Sequence, residues 1–516
     1  MAVIDFFDRG WSLDPSAIVY RTDHETWTYD EAGRTSCQIA HALLRDGLRR
    51  ETKVAVLSPN SPLAWVCVLG IWRAGGAWVP LNPDHPAEEN ARLLGQLDVE
   101  ILFYDPSVAK QVETVRQEVP HLRFIALERG TADPDLTSWI AGEPVTRPDV
   151  VHEMDEVVAV SPTGGTTGVP KAVMNTHRSL SVMVAHHMLA LSYPEDAPIV
   201  NLAAAPMTHS SGIFTLHATA RGGSVVVVPG AQVDTIIKAV ETQGITEMFL
   251  PPTVLYRLLQ VLDERTIDTS SLRYVIYGAA PMSVEKLRRG IERLGPIFTE
   301  VYGQSEAPAS ISFLLPHEHM ADGQVASDER LASCGRPSPF VTLAIKDPVT
   351  GREVKHGETG EVCVRGDLVM KGYYKDPERT AETIRDGWLH TGDLGHVDRA
   401  GYLYLTDRKK DMIISGGLNI YPNEVEQVIW GHPDVEDCAV IGVPDDDWGE
   451  RVTAVVEPKP GRTVDGAEII ARCRAALGAV RTPKQVIVEQ LPRSANGKVL
   501  KKDVRARFWT ASDKSI

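Results

Sequence analysis

Between Ser161 and Lys171 the chain reads Ser-Pro-Thr-Gly-Gly-Thr-Thr-Gly-Val-Pro-Lys, three glycines, three threonines, a serine and a lysine in eleven positions. Glycines let successive backbone N–H groups converge on one anion. The hydroxyls add donors, and Lys171 adds a mobile cation. A polyphosphate tail needs such a set. The preceding Val157-Val158-Ala159-Val160 reads as a short buried strand, which puts the loop at a strand end, a usual ligand position in α/β sheets. No Gly-Lys-Ser/Thr follows the glycines, so this is not a Walker A loop. The competing reading of a Gly/Thr-rich turn taken alone is a flexible surface loop.

Four further segments bear on that choice: Tyr302-Gly303-Gln304-Ser305-Glu306, Gly392-Asp393, Asp407-Arg408-Lys409-Lys410-Asp411, and Leu491-Pro492-Arg493-Ser494-Ala495-Asn496-Gly497-Lys498. In this order and spacing the chain resembles the adenylate-forming superfamily of acyl- and aryl-CoA synthetases, peptide-synthetase adenylation domains and beetle luciferases. The resemblance runs from about Trp27-Thr28-Tyr29 to Lys498. It implies an ATP-dependent ligase in which a carboxylate attacks the α-phosphorus in line, giving an acyl-adenylate and pyrophosphate. Two anions must be brought together, so catalysis is largely positioning and charge neutralisation.

The resemblance also implies roles. The loop holds the β- and γ-phosphates, with Thr163, Thr166 and Thr167 as hydroxyl donors, Gly164, Gly165 and Gly168 as the backbone cradle, and Lys171 as the cation. Gly165 stands where a serine is frequent, and Ala172 where a glycine is. Glu306 is the expected Mg²⁺ ligand, directly or through water, because Mg²⁺ takes few carboxylates and keeps several waters. Ser305, where threonine is commoner, reaches the α-phosphate. Tyr302 and Gly278-Ala279-Ala280 form the two walls of an adenine slot, an aromatic face against close backbone. Asp393 accepts from the ribose hydroxyls and Arg408 donates to them. Lys498 bridges the substrate carboxylate and the α-phosphate. Lys410 aligns with a hinge; swinging about it exchanges Lys498 for the loop Ser415-Gly416-Gly417-Leu418-Asn419, whose Gly416 and Gly417 let pantetheine pass close to backbone.

The acid pocket is expected at Pro206-Met207-Thr208-His209-Ser210-Ser211-Gly212, with His209 and Ser210 on its wall beside Phe249, Thr253, Gly278, Gly303 and Pro308. Small and apolar groups dominate, which fits an aryl or medium-length alkyl acid. The expected second substrate is CoA. A stand-alone amide-bond synthetase, passing the acyl group to an amine, and a free-standing enzyme loading a carrier protein are the alternatives. A binding module that only senses nucleotide is the reading from another class; the joint presence of Lys498, Glu306, Asp393 and Arg408 argues against it.

These groups need a scaffold, and the rest of the chain supplies its signals. The 516 residues, 43% hydrophobic and 24% charged, fit an ordinary globular protein of several domains. A net charge of −16 disfavours nucleic acid as a partner. Cysteines 37, 67, 334, 363, 438 and 473 show no Cys-x-x-Cys spacing, which suggests core residues in a reducing cytoplasm. The N-terminus lacks signal-peptide character. The hydrophobic window Pro62–Leu81 is broken by Arg73 and Gly75-Gly76, so a buried helix followed by a strand fits better than a transmembrane span.

Strand-like runs at Val54–Leu57, Val225–Val228, Met248–Leu250 and Tyr274–Tyr277 alternate with helix-like Pro62–Ala74, Val233–Gln243, Thr253–Leu262 and Ser283–Leu294. This predicts an α/β fold with mixed sheets covered by helices. After about residue 340, Glu361-Val-Cys-Val-Arg, Gly372-Tyr-Tyr and Tyr402-Leu-Tyr-Leu suggest a small β-barrel-like subdomain. A compact α+β unit follows, with helices at Val425–Trp430 and Glu468–Ala476 and strands at Val435–Ile441 and Val452–Val456. The expected division is a domain of residues 1–408 that binds ATP and acid, and a mobile C-terminal domain of residues 409–516.

Overall fold

The computed structural model describes residues 1–163, 171–208, 211–408, 410–445, 447–493 and 499–509. Two large sheets carry the first two-thirds of the chain. One has seven strands, in the spatial order Gly372–Tyr373, Lys171–Thr176, Val157–Thr163, Ala77–Pro80, Lys53–Leu57, Val99–Tyr104 and Arg123–Ala126. Its strands from Val157–Thr163 to Arg123–Ala126 pair in parallel, which requires crossovers; helices Pro62–Arg73 and Ala87–Gln96 supply two of them.

Helix Pro62–Arg73 begins where the sequence says it should. Ser61 Oγ accepts the Ala64 N–H at 3.4 Å, and Pro62 occupies the first turn. Its apolar face all round is explained by burial on all sides: Trp65 and Trp72 meet each other and Trp78 edge to face, 5.5–6.0 Å apart. Arg73, buried at the end of that helix, donates two hydrogen bonds to Asp8, at 2.7 and 3.0 Å. A buried guanidinium needs such a partner. Among the described residues no helix is long and apolar enough to cross a membrane.

The second sheet has nine strands, ordered Arg336–Pro337, Ala307–Leu314, Phe298–Gln304, Tyr274–Gly278, Glu247–Leu250, Val200–Ala203, Ser224–Val227, Ile18–Arg21 and Thr26–Thr28. Its five central pairings are parallel. Helices Val233–Gln243, Pro252–Glu264 and Val284–Leu294 lie between its strands in sequence, close to the boundaries that the periodicity predicts.

The small β unit is a five-stranded sheet of Thr342–Lys346, Gly360–Arg365, Trp388–Val397, Ile384–Arg385 and Leu403–Arg408. One expected member is absent from it. Gly372–Tyr373 leaves this unit and pairs antiparallel with Val173 and Met174, on the edge of the seven-stranded sheet. Periodicity finds a short strand but says nothing of its partner.

From Ile413 onwards a third kind of sheet appears. Ile413–Ser415, Leu418–Ile420, Val435–Asp445, Gly449–Pro458 and Gln485–Val488 form it, with helices Pro422–Trp430 and Gly466–Arg481. Ile413, Val425, Ile429, Val440, Val452 and Ile469 belong to a hydrophobic cluster of its own. The second helix runs past the expected Ala476 and breaks at Gly478, where φ is +77°. Hydrogen bonds join this unit to the nine-stranded sheet's helical layer: Gln427 Nε2 donates to the Met282 carbonyl at 3.1 Å, Val284 N–H to Gln427 Oε1 at 3.5 Å, and Lys286 Nζ to the Glu436 carbonyl at 2.9 Å.

Candidate active site

Strand Val157–Thr163 buries its first four residues and emerges half-exposed at Ser161, Pro162 and Thr163. It then returns as Lys171–Thr176, with Thr163 opposite Lys171 in register. Thr163 Oγ1 donates to the Lys171 carbonyl at 3.4 Å. Thr163 and Lys171, which flank the glycine-rich segment, are therefore pinned opposite each other. Gly164, Gly165, Thr166, Thr167 and Gly168 lie outside the described residues, as do His209, Ser210 and Lys498.

Tyr302, Asp393 and Arg408, read from three separate motifs, meet. Tyr302 Oη donates to Asp393 Oδ2 at 2.7 Å, and Arg408 Nε lies 3.2 Å from Asp393 Oδ1. Tyr302 and Asp393 are buried, 8% and 6% exposed, while Arg408 stays exposed. Burial first, then the Asp393 charge, pushes the Tyr302 phenol well above its ordinary value. It remains a donor. The pairing follows from register: Asp393 and Arg408 sit opposite each other on neighbouring antiparallel strands. Such cross-strand opposite charges are favourable.

A second ring of contacts holds Asp393. Glu361 Oε1 accepts the Gly392 N–H at 3.2 Å, Thr391 Oγ1 accepts the Asp393 N–H at 3.1 Å, and Thr391 donates on to the Val362 carbonyl at 2.7 Å. Gly392 takes φ +74°, a conformation that suits glycine. Glu361 Oε2 also lies 3.1 Å from His390 Nδ1, which is 3.4 Å from Cys363 Sγ. Sequence reasoning missed Glu361 and His390, because their partners lie across a sheet.

The backbone at the expected adenine wall is closely packed. A Cβ on Gly278 would sit 2.3 Å from the Val301 carbonyl oxygen, and one on Gly303 would sit 2.6 Å from the Ala309 nitrogen. Ala279 adopts φ +66° and is exposed, with Ala280 half-buried beside it. Ser305 is half-buried, and its carbonyl accepts from Asn175 Nδ2 at 3.2 Å. Glu306 Oε1 accepts from Tyr373 Oη at 2.7 Å, and Lys171 Nζ lies 3.5 Å from the same Tyr373 oxygen. Tyr373 carries no signal of this role in the sequence, since only the strand pairing brings it to Glu306.

On the acid side, the residues flanking His209 and Ser210 are anchored. Met207 N–H donates to Asn60 Oδ1 at 2.7 Å and Ser211 Oγ to the Ala205 carbonyl at 2.6 Å. A Cβ on Gly212 would fall 2.2 Å from the Trp65 ring, so glycine lets this segment lie flat on the tryptophan. Phe249 is half-buried and stacks on Phe214, ring centroids 4.7 Å apart and 5° from parallel. Phe214 was not among the expected wall residues. Thr253 is half-buried, and Gly278 and Pro308 are buried.

Behind Phe214, the His187 ring meets it edge-on at 5.7 Å and stacks on His217 at 5.5 Å. His217 Nε2 lies 2.8 Å from Glu247 Oε1. Burial raises the Glu247 carboxyl, but His217 and hydrogen bonds from Tyr193 and Asn201 outweigh it and hold it at about 2. Burial takes His187 down to about 3.

In the C-terminal unit, Lys410 is exposed and its carbonyl accepts from Arg505 Nη1 at 3.2 Å. Gly416 and Gly417 are exposed at φ +58° and +76°, in the turn between Ile413–Ser415 and Leu418–Ile420. Asp407, at the end of the small sheet, accepts the Asn423 N–H at 2.8 Å. All six cysteines are buried and unpaired to one another.

A family model described as AMP-binding enzyme matches residues 7–374, and one described as AMP-binding enzyme C-terminal domain matches residues 424–498. The chain is 36% identical over 499 residues to a feruloyl-CoA synthase of Amycolatopsis sp, covering 96% of this chain and 97% of the relative. It is 36% identical over 490 residues to the medium/long-chain-fatty-acid–CoA ligase FadD8 of Mycobacterium tuberculosis, covering 90% and 82%. Among solved structures, the amide bond synthetase McbA of Marinactinospora thermotolerans superposes with a TM-score of 0.88 at 31% identity, over 98% of this chain and 100% of that one.

Proposed function

The chain belongs to the AMP-binding enzyme family, an adenylate-forming, AMP-forming ligase family, and from that premise we propose that it is an acyl- or aryl-CoA synthetase. The observation that carries this reading is the Tyr302–Asp393–Arg408 contact. Three residues expected around adenine and ribose converge on one buried carboxylate. That carboxylate offers two oxygens to a diol once Arg408 turns outward to donate.

Around it we assign Thr163, Lys171 and the 164–170 loop to the phosphates, and Gly278, Ala279, Ala280 and Gly303 to the backbone face of adenine. Ser305 takes the α-phosphate. Glu306 is the carboxylate for Mg²⁺, which when bound would offset phosphate charge. Lys498 neutralises charge between the carboxylate and the α-phosphate. Lys410 is the hinge between residues 1–408 and 409–516, and Gly416 and Gly417 serve the thiol substrate. The enzyme first forms an acyl-adenylate and releases pyrophosphate; CoA sulfur then takes the acyl group and AMP leaves.

For the acid, the stacked Phe214–Phe249 pair supports a planar or apolar tail, aryl or medium-chain, with His209 and Ser210 completing the wall. The feruloyl and medium/long-chain relatives lean the same way. Six buried thiols fit a reducing cytoplasm. A second reading, transfer to an amine, is favoured by the likeness to the amide bond synthetase.

The test is pyrophosphate release across aryl, short-, medium- and long-chain acids, followed by mass detection of products with CoA or simple amines. A thioester from one acid class is the expected result. An amide without thioester would move the chain to the second reading and leave the adenylation assignments intact.

A further inference from the structure

We propose that Tyr373 is a positioning residue that aims Glu306 at the divalent metal of MgATP, and that the strand carrying it ties the metal side of the site to the phosphate side. This rests on the assignment of Glu306 above and adds a residue to it.

The segment Met370–Tyr374 clamps Glu306 at both ends. Met370 N–H donates to the Glu306 carbonyl at 2.8 Å, and Tyr373 Oη donates to Glu306 Oε1 at 2.7 Å. The same segment is stitched to the strand that leaves the glycine-rich loop. Lys371 N–H donates to the Met174 carbonyl at 2.9 Å, and Tyr374 N–H to the Ala172 carbonyl at 2.8 Å. The Tyr373 ring is 3% exposed and packed in the main core. Its own N–H donates to Thr380 Oγ1 at 2.9 Å. Gly372 precedes it at φ +149°, where a Cβ would fall 2.8 Å from Thr380 Cγ2. The hydroxyl thus has little freedom to wander.

Lys171 completes the chain. Its Nζ lies 3.5 Å from Tyr373 Oη and 5.0 Å from the ring centroid. Cation, hydroxyl and carboxylate form a line in which the hydroxyl accepts from Lys171 and donates to Glu306. A phenol is protonated at working pH, so the hydroxyl has a proton to give. A hydroxyl–carboxylate bond of this kind is charge-assisted and directional. Mg²⁺ demands near-octahedral geometry at short distance. A carboxylate held by Tyr373 would meet the ion with its orientation already fixed, and one released from it would have to be ordered at each binding event.

The experiment is a Mg²⁺ titration of ATP binding, followed by intrinsic tryptophan fluorescence, on the full chain as wild type, Tyr373→Phe, Glu306→Gln and the double variant. Phe keeps the buried ring and removes one oxygen. Tyr373→Phe is expected to raise the Mg²⁺ needed for half-saturation by about tenfold, the scale of a hydrogen bond to a charged group. Metal-free ATP binding stays at the wild-type level, a split that a general loss of packing would not produce. The double variant is expected to match Glu306→Gln alone in its Mg²⁺ dependence, because the hydroxyl reaches the metal only through that carboxylate.

If Tyr373→Phe overlays wild type while Glu306→Gln shifts, the proposal fails and the metal assignment stands. If Glu306→Gln also overlays wild type, the metal assignment itself fails. Additive shifts in the double variant would overturn positioning through Glu306. Melting curves precede each titration, and Tyr373→Met is the second removal of the hydroxyl if the Phe chain is unstable.

Discussion

In the candidate site, Asp393 is buried, bonded by Tyr302, faced by Arg408 and held through Gly392 and Thr391 by Glu361 and the small sheet. In the C-terminal unit, Gly416, Gly417, Leu418 and Asn419 stand exposed in a hairpin turn, and Lys410 is exposed at the linker. The first arrangement is over-determined, the second loosely constrained. The contrast matches the two half-reactions proposed for this chain. Adenylation needs its donors in place before ATP arrives, since preorganised groups need not reorganise in the transition state. Groups brought in by a moving unit are useful only if they remain accessible until they arrive.

That comparison can be broken at its strongest point first. Lys498→Ala is expected to lower single-turnover adenylation by about 10²–10³-fold, the effect of losing one charge-stabilising donor. ATP binding by equilibrium titration should stay nearly intact. Adenylation at the wild-type rate would remove Lys498 from the chemistry.

Next is the buried layer behind the acid side. Glu247→Gln should cost about 3 kcal/mol, because it leaves His217 and its neighbours without their carboxylate; denaturant unfolding measures it. The sign with pH follows from the depressed Glu247 carboxyl. The stability it supplies is whole above the ordinary carboxylate value near 4.5 and is lost as pH falls towards about 2. The wild type should therefore lose more stability than the Gln variant across that window.

Asp393→Ala sharpens the contrast from the cleft side. Losing hydrogen bonds to a charged group should raise the ATP KM by about 10- to 100-fold. The thermal midpoint should move less than with Glu247→Gln, because Arg408 is already exposed. An unchanged KM would show that the Tyr302–Asp393 contact serves the fold alone.

Lys410→Pro probes the other half. Proline restricts φ rotation, so adenylation should stay within about threefold while thioester formation slows about tenfold. Equal loss of both steps would place the pivot elsewhere. The smallest effect is expected for Gly417→Ala: φ is +76° with open space around the added Cβ, so only the backbone cost of about 1 kcal/mol remains. A thermal scan should show a small shift, with the CoA step more affected than adenylation.

Much of the fold was legible because alternation and helical periodicity are local. Helix Val233–Gln243 has the predicted bounds, and Ser283 caps Val284–Leu294 as its position suggests. The motif residues Tyr302, Asp393 and Arg408 were legible as types and spacing. Their direct contacts with one another were not, because these depend on the register between Trp388–Val397 and Leu403–Arg408 and on where Phe298–Gln304 lies.

Gly372–Tyr373 shows the same limit more sharply. Its two residues read as a strand of the small β unit, yet hydrogen-bonding capacity at an edge is generic and any compatible edge can take it. In the structure Gly372–Tyr373 pairs with Lys171–Thr176, and that pairing carries the Tyr373 hydroxyl to Glu306. Phe214 likewise stacks on Phe249 only because Ser211–Thr215 folds over it. The sequence by itself determined the reaction class, because five motifs stand in the order and spacing of an adenylate-forming enzyme. Tertiary structure decided which buried groups aim them, because aim depends on contacts between segments far apart in the chain.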